Sequence, residues 1–126
     1  MKFRSSLNRV RGLGAAGSGT HHWWMQRLTA VALVPLALWF VASVVWLSKA
    51  DYAAAVTWLQ SPFNAALLVS TIVATFYHAQ LGLQVVLEDY VHTEWLKVAS
   101  QITLKFACLL LGLVSVIAAL RVTFGA

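Results

Sequence analysis

Charged residues are scarce in this sequence, and their scarcity indicates the class of protein before any motif is considered. Only 10% of the 126 residues are charged, whereas 60% are hydrophobic and the mean hydropathy is +0.77. Soluble domains carry about 25% charged residues. The composition therefore excludes an ordinary soluble domain and indicates an integral membrane protein, for which we expect no second domain.

Cysteine is almost absent, since Cys108 is the only one. A single thiol excludes an internal disulfide framework and a cysteine-based zinc site. Cys108 lies in an apolar run, where a small packing residue is the expected role and a reactive thiol is the alternative. The sequence also contains no HExxH metal motif, no nucleophile elbow and no phosphate-binding loop.

Basic residues outnumber acidic ones by nine to four, but their positions argue against a nucleic-acid partner. Seven of the nine lie before or at the start of the first apolar run or flank the start of the last one; the seven are Lys2, Arg4, Arg9, Arg11, Arg27, Lys97 and Lys105. Only Lys49 and Arg121 lie at the other ends of the runs. This asymmetry follows the positive-inside rule. We therefore expect a cytoplasmic N-terminus; a location in the bacterial inner (cytoplasmic) membrane is implied by the family resemblance described below.

Three long apolar runs are the main positive feature of the sequence. Each is long enough to cross about 30 Å of hydrocarbon, and in chain order they cover about residues 23–47, 63–87 and 98–122. The expected fold is all-α, with three transmembrane helices; that these form part of a heterodimeric helix bundle is implied by the family resemblance described below. We expect a basic cytoplasmic arm over residues 1–22 and one anchor domain over residues 23–123.

The segments between the runs also carry helical signals. Tyr52, Val56 and Leu59 share one helical face, which predicts a short interfacial helix in the first loop. Pro62 suits the first turn of the helix that follows. In the third run, small residues recur at helical spacing and predict a packing face: Cys108, Gly112, Ser115 and Ala119.

Residues 78–92, HAQLGLQVVLEDYVH, contain the most informative polar groups of the chain. His78 lies near or slightly past the middle of the second run, where an ionisable side chain is costly and marks a functional site. Its helical face is otherwise made mostly of small residues: Thr71, Ala74, Gly82, Val85 and Asp89. We interpret His78 as an axial ligand of a haem lying against this face. The alternative is a buried histidine bonded to a neighbouring helix.

One chain supplies only half of such a haem site. His92 follows His78 by 14 residues, which is about 21 Å along a continuous helix. His21 and His22 precede the first run and lie at the wrong depth. A haem with two histidine ligands would therefore take its second ligand from a different chain.

Three further polar residues each have a binding and a structural interpretation. Arg27 suits carboxylates such as haem propionates, or is an interfacial cation at a helix start; His21 lies on the same side of the membrane. Asp89 and Tyr90 suit hydrogen bonding to a quinone carbonyl oxygen, with the phenol oriented by the carboxylate. Their alternative is an ordinary polar helix end.

Taken together, these motifs resemble the small haem-binding, hydrophobic membrane anchor of succinate dehydrogenase, respiratory complex II, in its bacterial form. The resemblance rests on His78 followed by Gly82 and then by Asp89–Tyr90. It is supported by SGTHHWWMQRLTAVALVPL at the first run, where His21 lies six residues before Arg27. The resemblance covers essentially the whole chain.

The resemblance implies a non-catalytic member of the succinate:ubiquinone oxidoreductase complex. Such an anchor pairs with a second anchor of the cytochrome b type, and together they hold one haem b and dock an iron–sulfur protein and an FAD-containing flavoprotein. It implies that His78 is an axial ligand and that Arg27 lies near the propionates; His21 is a further candidate for them because it lies on the same side of the membrane. It also implies that Tyr90, supported by Asp89, hydrogen-bonds ubiquinone.

Two alternatives stay open at this point. The anchor of a fumarate reductase would run the chemistry backwards on a similar scaffold. A small non-redox membrane protein, such as an assembly factor or part of a channel, would use His78 only structurally. Haem content separates the second alternative from the anchor.

Overall fold

The structure is a computed structural model in which Leu7 and residues 17–125 are described. Residues 17–125 form four helices in the order α1 (Gly17–Leu47), α2 (Tyr52–Gln60), α3 (Pro62–Tyr90) and α4 (Glu94–Thr123). Within the described residues, α1, α3 and α4 are long and apolar enough to cross a membrane. The predicted all-α fold with three spanning helices is confirmed.

Each long helix extends beyond the apolar run from which it was predicted. α1 begins at Gly17, so residues 17–22 of the predicted arm are helical. α3 and α4 are separated only by Val91–Thr93, which is shorter than the gap of residues 88–97 between the second and third predicted runs. Hydropathy marks only the part of a helix that lies in hydrocarbon, whereas the backbone hydrogen bonds continue into the interface. The rest of the predicted arm, apart from Leu7, lies outside the described residues.

Local signals explain where the shorter elements begin and how they are held. The Asp51 carboxylate caps α2 by accepting a hydrogen bond from the Ala54 backbone N–H at 2.8 Å, a typical N-cap. Pro62 occupies the first turn of α3, as predicted. The Trp39 and Trp58 rings stack with 5.6 Å between centroids, which places α2 against α1.

α3 is the central helix of the bundle. It packs along both α1 and α4, while the short α2 packs against α3 and α4. The predicted packing face of α4 is used at two positions, because Gly112 lies against the Phe76 ring and Ala119 is buried. Cys108 is half-buried with a free thiol. Among the described residues no large side chain is fully buried, so most of the apolar surface faces outward.

Candidate functional site

His78 is held inside the contact between α1 and α3. It lies about 24 Å along the axis from Pro62 and about 18 Å from Tyr90, the two ends of α3. The imidazole is half-buried, and its Nδ1 lies 3.0 Å from the Thr29 hydroxyl oxygen on α1. Nε2 makes no hydrogen bond to any described residue. The prediction that His78 lies slightly past the middle of its helix is confirmed.

Thr29 is the partner that sequence reasoning missed. Its side chain is 9% exposed, and it is the only polar residue that is buried among those described. One turn earlier, Gln26 lies over Gly82, where an added Cβ would be 3.5 Å from the Gln26 amide nitrogen. α1 therefore runs antiparallel along part of the small-residue face that contains His78.

This face of α1 contains further polar atoms. His22 Nε2 and Gln26 Oε1 are both buried and have no hydrogen-bond partner within the described part of the chain. His22, Gln26 and Thr29 recur at helical spacing and so share one face. Buried polar atoms without partners are costly, so these two atoms leave hydrogen-bonding capacity for a further polar group at the α1–α3 contact.

Arg27 and His21 are exposed near the start of α1. The Arg27 guanidinium carbon lies 5.4 Å from the centroid of the Trp23 ring, a cation–π distance. Because α1 and α3 are antiparallel, this end of α1 lies at the same side of the bundle as the end of α3. The structure thus places Arg27 and His21 at the same end as Asp89 and Tyr90, as predicted.

Asp89 and Tyr90 form the last turn of α3. Both are exposed, and Tyr90 is 78% exposed. The turn is closed by the backbone, since the Val91 N–H donates to the Leu87 carbonyl at 2.9 Å. These two residues are therefore available to a ligand at the end of the bundle, and they are not in contact with His78.

A chain of polar side chains reaches the same end of α3. The Gln80 amide donates to Gln84 at 3.2 Å, and the Gln84 amide donates to the Glu88 carboxylate at 3.0 Å. Gln101 on α4 donates to the same carboxylate oxygen at 3.3 Å. These hydrogen bonds link the end of α3 to α4. The i, i+4 spacing of Gln80, Gln84 and Glu88 was a signal that sequence reasoning did not use.

One concave surface of the bundle does not belong to the predicted site. A groove of about 380 Å³ lies between α3 and α4, and most of its walls are apolar. Phe76, Gly112 and Lys105 contribute to it, whereas His78 and Tyr90 do not. Within the described residues no three His, Cys, Asp or Glu side chains are grouped so that they hold a metal ion.

Comparison with known proteins gives a consistent result. A family model described as the succinate dehydrogenase/fumarate reductase transmembrane subunit matches residues 1–119. The chain is 34% identical over 108 residues to a protein of Rickettsia bellii, with 86% of each chain covered. It is 32% identical over 108 residues to a protein of Rickettsia conorii, covering 85% of this chain and 86% of the other. Both are named succinate dehydrogenase hydrophobic membrane anchor subunit.

Proposed function

The chain belongs to the succinate dehydrogenase/fumarate reductase transmembrane subunit family, and we propose that it anchors a succinate:ubiquinone oxidoreductase. Family membership means that it works in a membrane and in a complex with other subunits. It also decides against a non-redox membrane protein. The names of the relatives favour succinate oxidation over fumarate reduction, because both are called succinate dehydrogenase subunits.

His78 is the residue that carries the proposal of a haem b. Its imidazole is half-buried well inside a spanning helix, and only Nδ1 is engaged by another residue. A neutral imidazole with a free ring nitrogen is a suitable axial ligand. Gly82 follows one helical turn later on the same face, where the absence of a side chain lets Gln26 of α1 pack close to the α3 backbone.

The described residues fit one half of a haem site. His22 lies on the same face of α1 as Thr29, the face that packs against α3. It precedes Thr29 by seven residues, which is about 10 Å along the helix axis. Thr29 marks the level of His78, so His22 lies too far along the axis to bind the same iron. The second axial ligand therefore comes from a partner, which we propose is a second membrane anchor of the cytochrome b type.

The propionate end of the haem would lie towards the start of α1. Arg27 would hold a propionate there through its paired N–H donors, and His21 is on the same side. We propose that this side is cytoplasmic, in the bacterial inner membrane, because the basic residues concentrate there. When bound, the haem supplies reversible one-electron transfer at its iron.

Asp89 and Tyr90 would form this chain's share of the ubiquinone site. Reducing the quinone consumes two electrons and two protons, and each carbonyl oxygen becomes a hydroxyl group. The Tyr90 phenol would donate a hydrogen bond to one of these oxygens, and Asp89 would orient that phenol. We propose that the electrons arrive from succinate through an FAD-containing flavoprotein and an iron–sulfur protein of the same complex. The anchor itself contributes binding and positioning and has no complete active site.

The test is a reduced-minus-oxidised visible spectrum of the complex, purified with its partner proteins in mild detergent. His78→Ala is compared with His92→Ala, which changes an exposed histidine in the loop between α3 and α4. We expect a b-type signal in the wild-type complex that His78→Ala alters or removes and His92→Ala preserves. An unchanged signal in His78→Ala would contradict ligation by His78.

A further inference from the structure

The Thr29 hydroxyl makes three polar contacts at once. Its oxygen lies 2.7 Å from the Met25 carbonyl oxygen, 3.1 Å from the Gln26 carbonyl oxygen and 3.0 Å from His78 Nδ1. A hydroxyl group has one proton to donate and two lone pairs to accept with. The three contacts therefore constrain which of these groups carries the proton.

The two carbonyl oxygens can only accept hydrogen bonds. A separation of 2.7 Å is typical of an O–H···O hydrogen bond, and the contact with Met25 is the usual bond from a threonine to the carbonyl four residues earlier. If the hydroxyl proton pointed to His78 instead, two oxygen atoms would face each other at 2.7 Å with no proton between them. The hydroxyl proton therefore lies towards Met25.

The proton in the contact between Thr29 and His78 must then belong to the imidazole. Nδ1 carries the hydrogen and donates it to Thr29, which leaves the lone pair of a neutral ring on Nε2. Metal-binding histidines commonly donate their second ring N–H in this way, and the bond fixes both the tautomer and the orientation of the ring.

We propose that Thr29 is a positioning residue for the haem iron: it holds His78 in the Nδ1–H tautomer and keeps Nε2 free as the ligand atom. This inference rests on the proposed function, since it needs His78 to be the axial ligand. Thr29 is buried and α1 is packed on α3 at this point, so the packing of the two helices holds the Thr29 hydroxyl against the ring. The Nδ1–H bond also makes Nε2 a more basic ligand and thereby favours the ferric iron.

Four variants of the purified complex test this role. Thr29→Val replaces the hydroxyl by a methyl group, and Thr29→Cys puts a weak donor and weak acceptor there. Thr29→Ser keeps the hydroxyl. The control is Thr103→Val on α4, whose hydroxyl also bonds the carbonyl four residues earlier, that of Ala99, at 2.8 Å. The measurements are haem loss to excess apomyoglobin and a potentiometric titration of the haem.

We expect Thr29→Val and Thr29→Cys to retain haem about 10- to 100-fold less tightly and to shift its midpoint potential to more positive values. Thr29→Ser and Thr103→Val should match the wild-type complex. If Thr29→Val does not assemble, the comparison of Thr29→Cys with Thr29→Ser decides, because the two side chains are similar in size.

Two results would overturn the role of Thr29. One is wild-type haem retention and potential in Thr29→Cys or in an assembled Thr29→Val. The other is a Thr29→Ser variant as impaired as Thr29→Cys, which would assign the effect to the lost methyl group. Either result leaves the proposed function standing as long as His78→Ala removes or alters the b-type signal. A normal signal in His78→Ala would instead reject the proposed ligand itself.

Discussion

Replacing Tyr90 by phenylalanine is the most direct test of the quinone site. The change removes one hydroxyl group from a side chain that is 78% exposed at the last turn of α3. The fold does not depend on that hydroxyl, because the turn is closed by the backbone bond from Val91 to Leu87 at 2.9 Å. We therefore expect the Tyr90→Phe complex to assemble normally and to keep its haem spectrum.

The size of the effect follows from the hydrogen bond that is lost. A bond between neutral partners contributes about 0.5–1.5 kcal/mol, and about 1.4 kcal/mol corresponds to a tenfold change in rate. A donor placed on an oxygen that gains negative charge in the transition state contributes about 10²–10³ in rate. The Tyr90 phenol is a neutral donor to a neutral quinone carbonyl, so the upper part of the first range applies. We therefore expect a loss of about tenfold in succinate:quinone reductase activity.

Two assays separate a quinone effect from a general defect. Quinone reduction is measured with a ubiquinone analogue, and succinate oxidation is measured with a soluble dye that accepts electrons before the quinone site. Tyr52→Phe is the matched control, since Tyr52 is 84% exposed at the start of α2, away from the end that carries Tyr90. Equal losses in both assays, or wild-type quinone reduction in Tyr90→Phe, would refute the role of Tyr90.

Two further predictions concern the packing around α3. Leu81 is 5% exposed, so Leu81→Ala should leave a cavity and lower the free energy of unfolding by about 2 kcal/mol. This value is at the low end for such changes, because lipid is as apolar as the core. The measurement is the midpoint of thermal inactivation of the detergent complex, which should fall. At Gly112 a Cβ would meet the Phe76 ring at 3.6 Å, an ordinary contact. Gly112→Ala should therefore be tolerated, whereas Gly112→Leu should destabilise by about 1–3 kcal/mol in the same assay. An unchanged midpoint in Leu81→Ala or Gly112→Leu would contradict the observed packing.

The helices could be predicted from the sequence because hydropathy and helical spacing are local properties. The three apolar runs, the Tyr52–Leu59 face and Pro62 at a helix start each depend only on nearby residues. The ends of the helices were harder to predict. Gly17–His22 are polar or small and were assigned to the arm, yet backbone hydrogen bonding continues α1 through them.

The candidate site was predictable only within single helices. Periodicity placed His78 and Gly82 on one face of α3, but it gives no register between α3 and α1. The contact of Thr29 with His78 joins residues 49 positions apart in the chain, so it follows from how two helices pack. The available signal was Thr29 itself, a hydroxyl residue within the apolar run of α1 and two residues after Arg27, which could have indicated a polar contact inside the bundle.

The few buried residues show why polar contacts matter in this bundle. The buried hydrophobic residues among those described are only Ala65, Leu81 and Ala119. Lipid is as apolar as these side chains, so association of spanning helices depends on close packing and on hydrogen bonds between them. The hydrogen bond between Thr29 and His78 crosses from α1 to α3 at the proposed ligand. The bond that would position the ligand therefore also holds the two helices together, so any shift of α1 would move the imidazole.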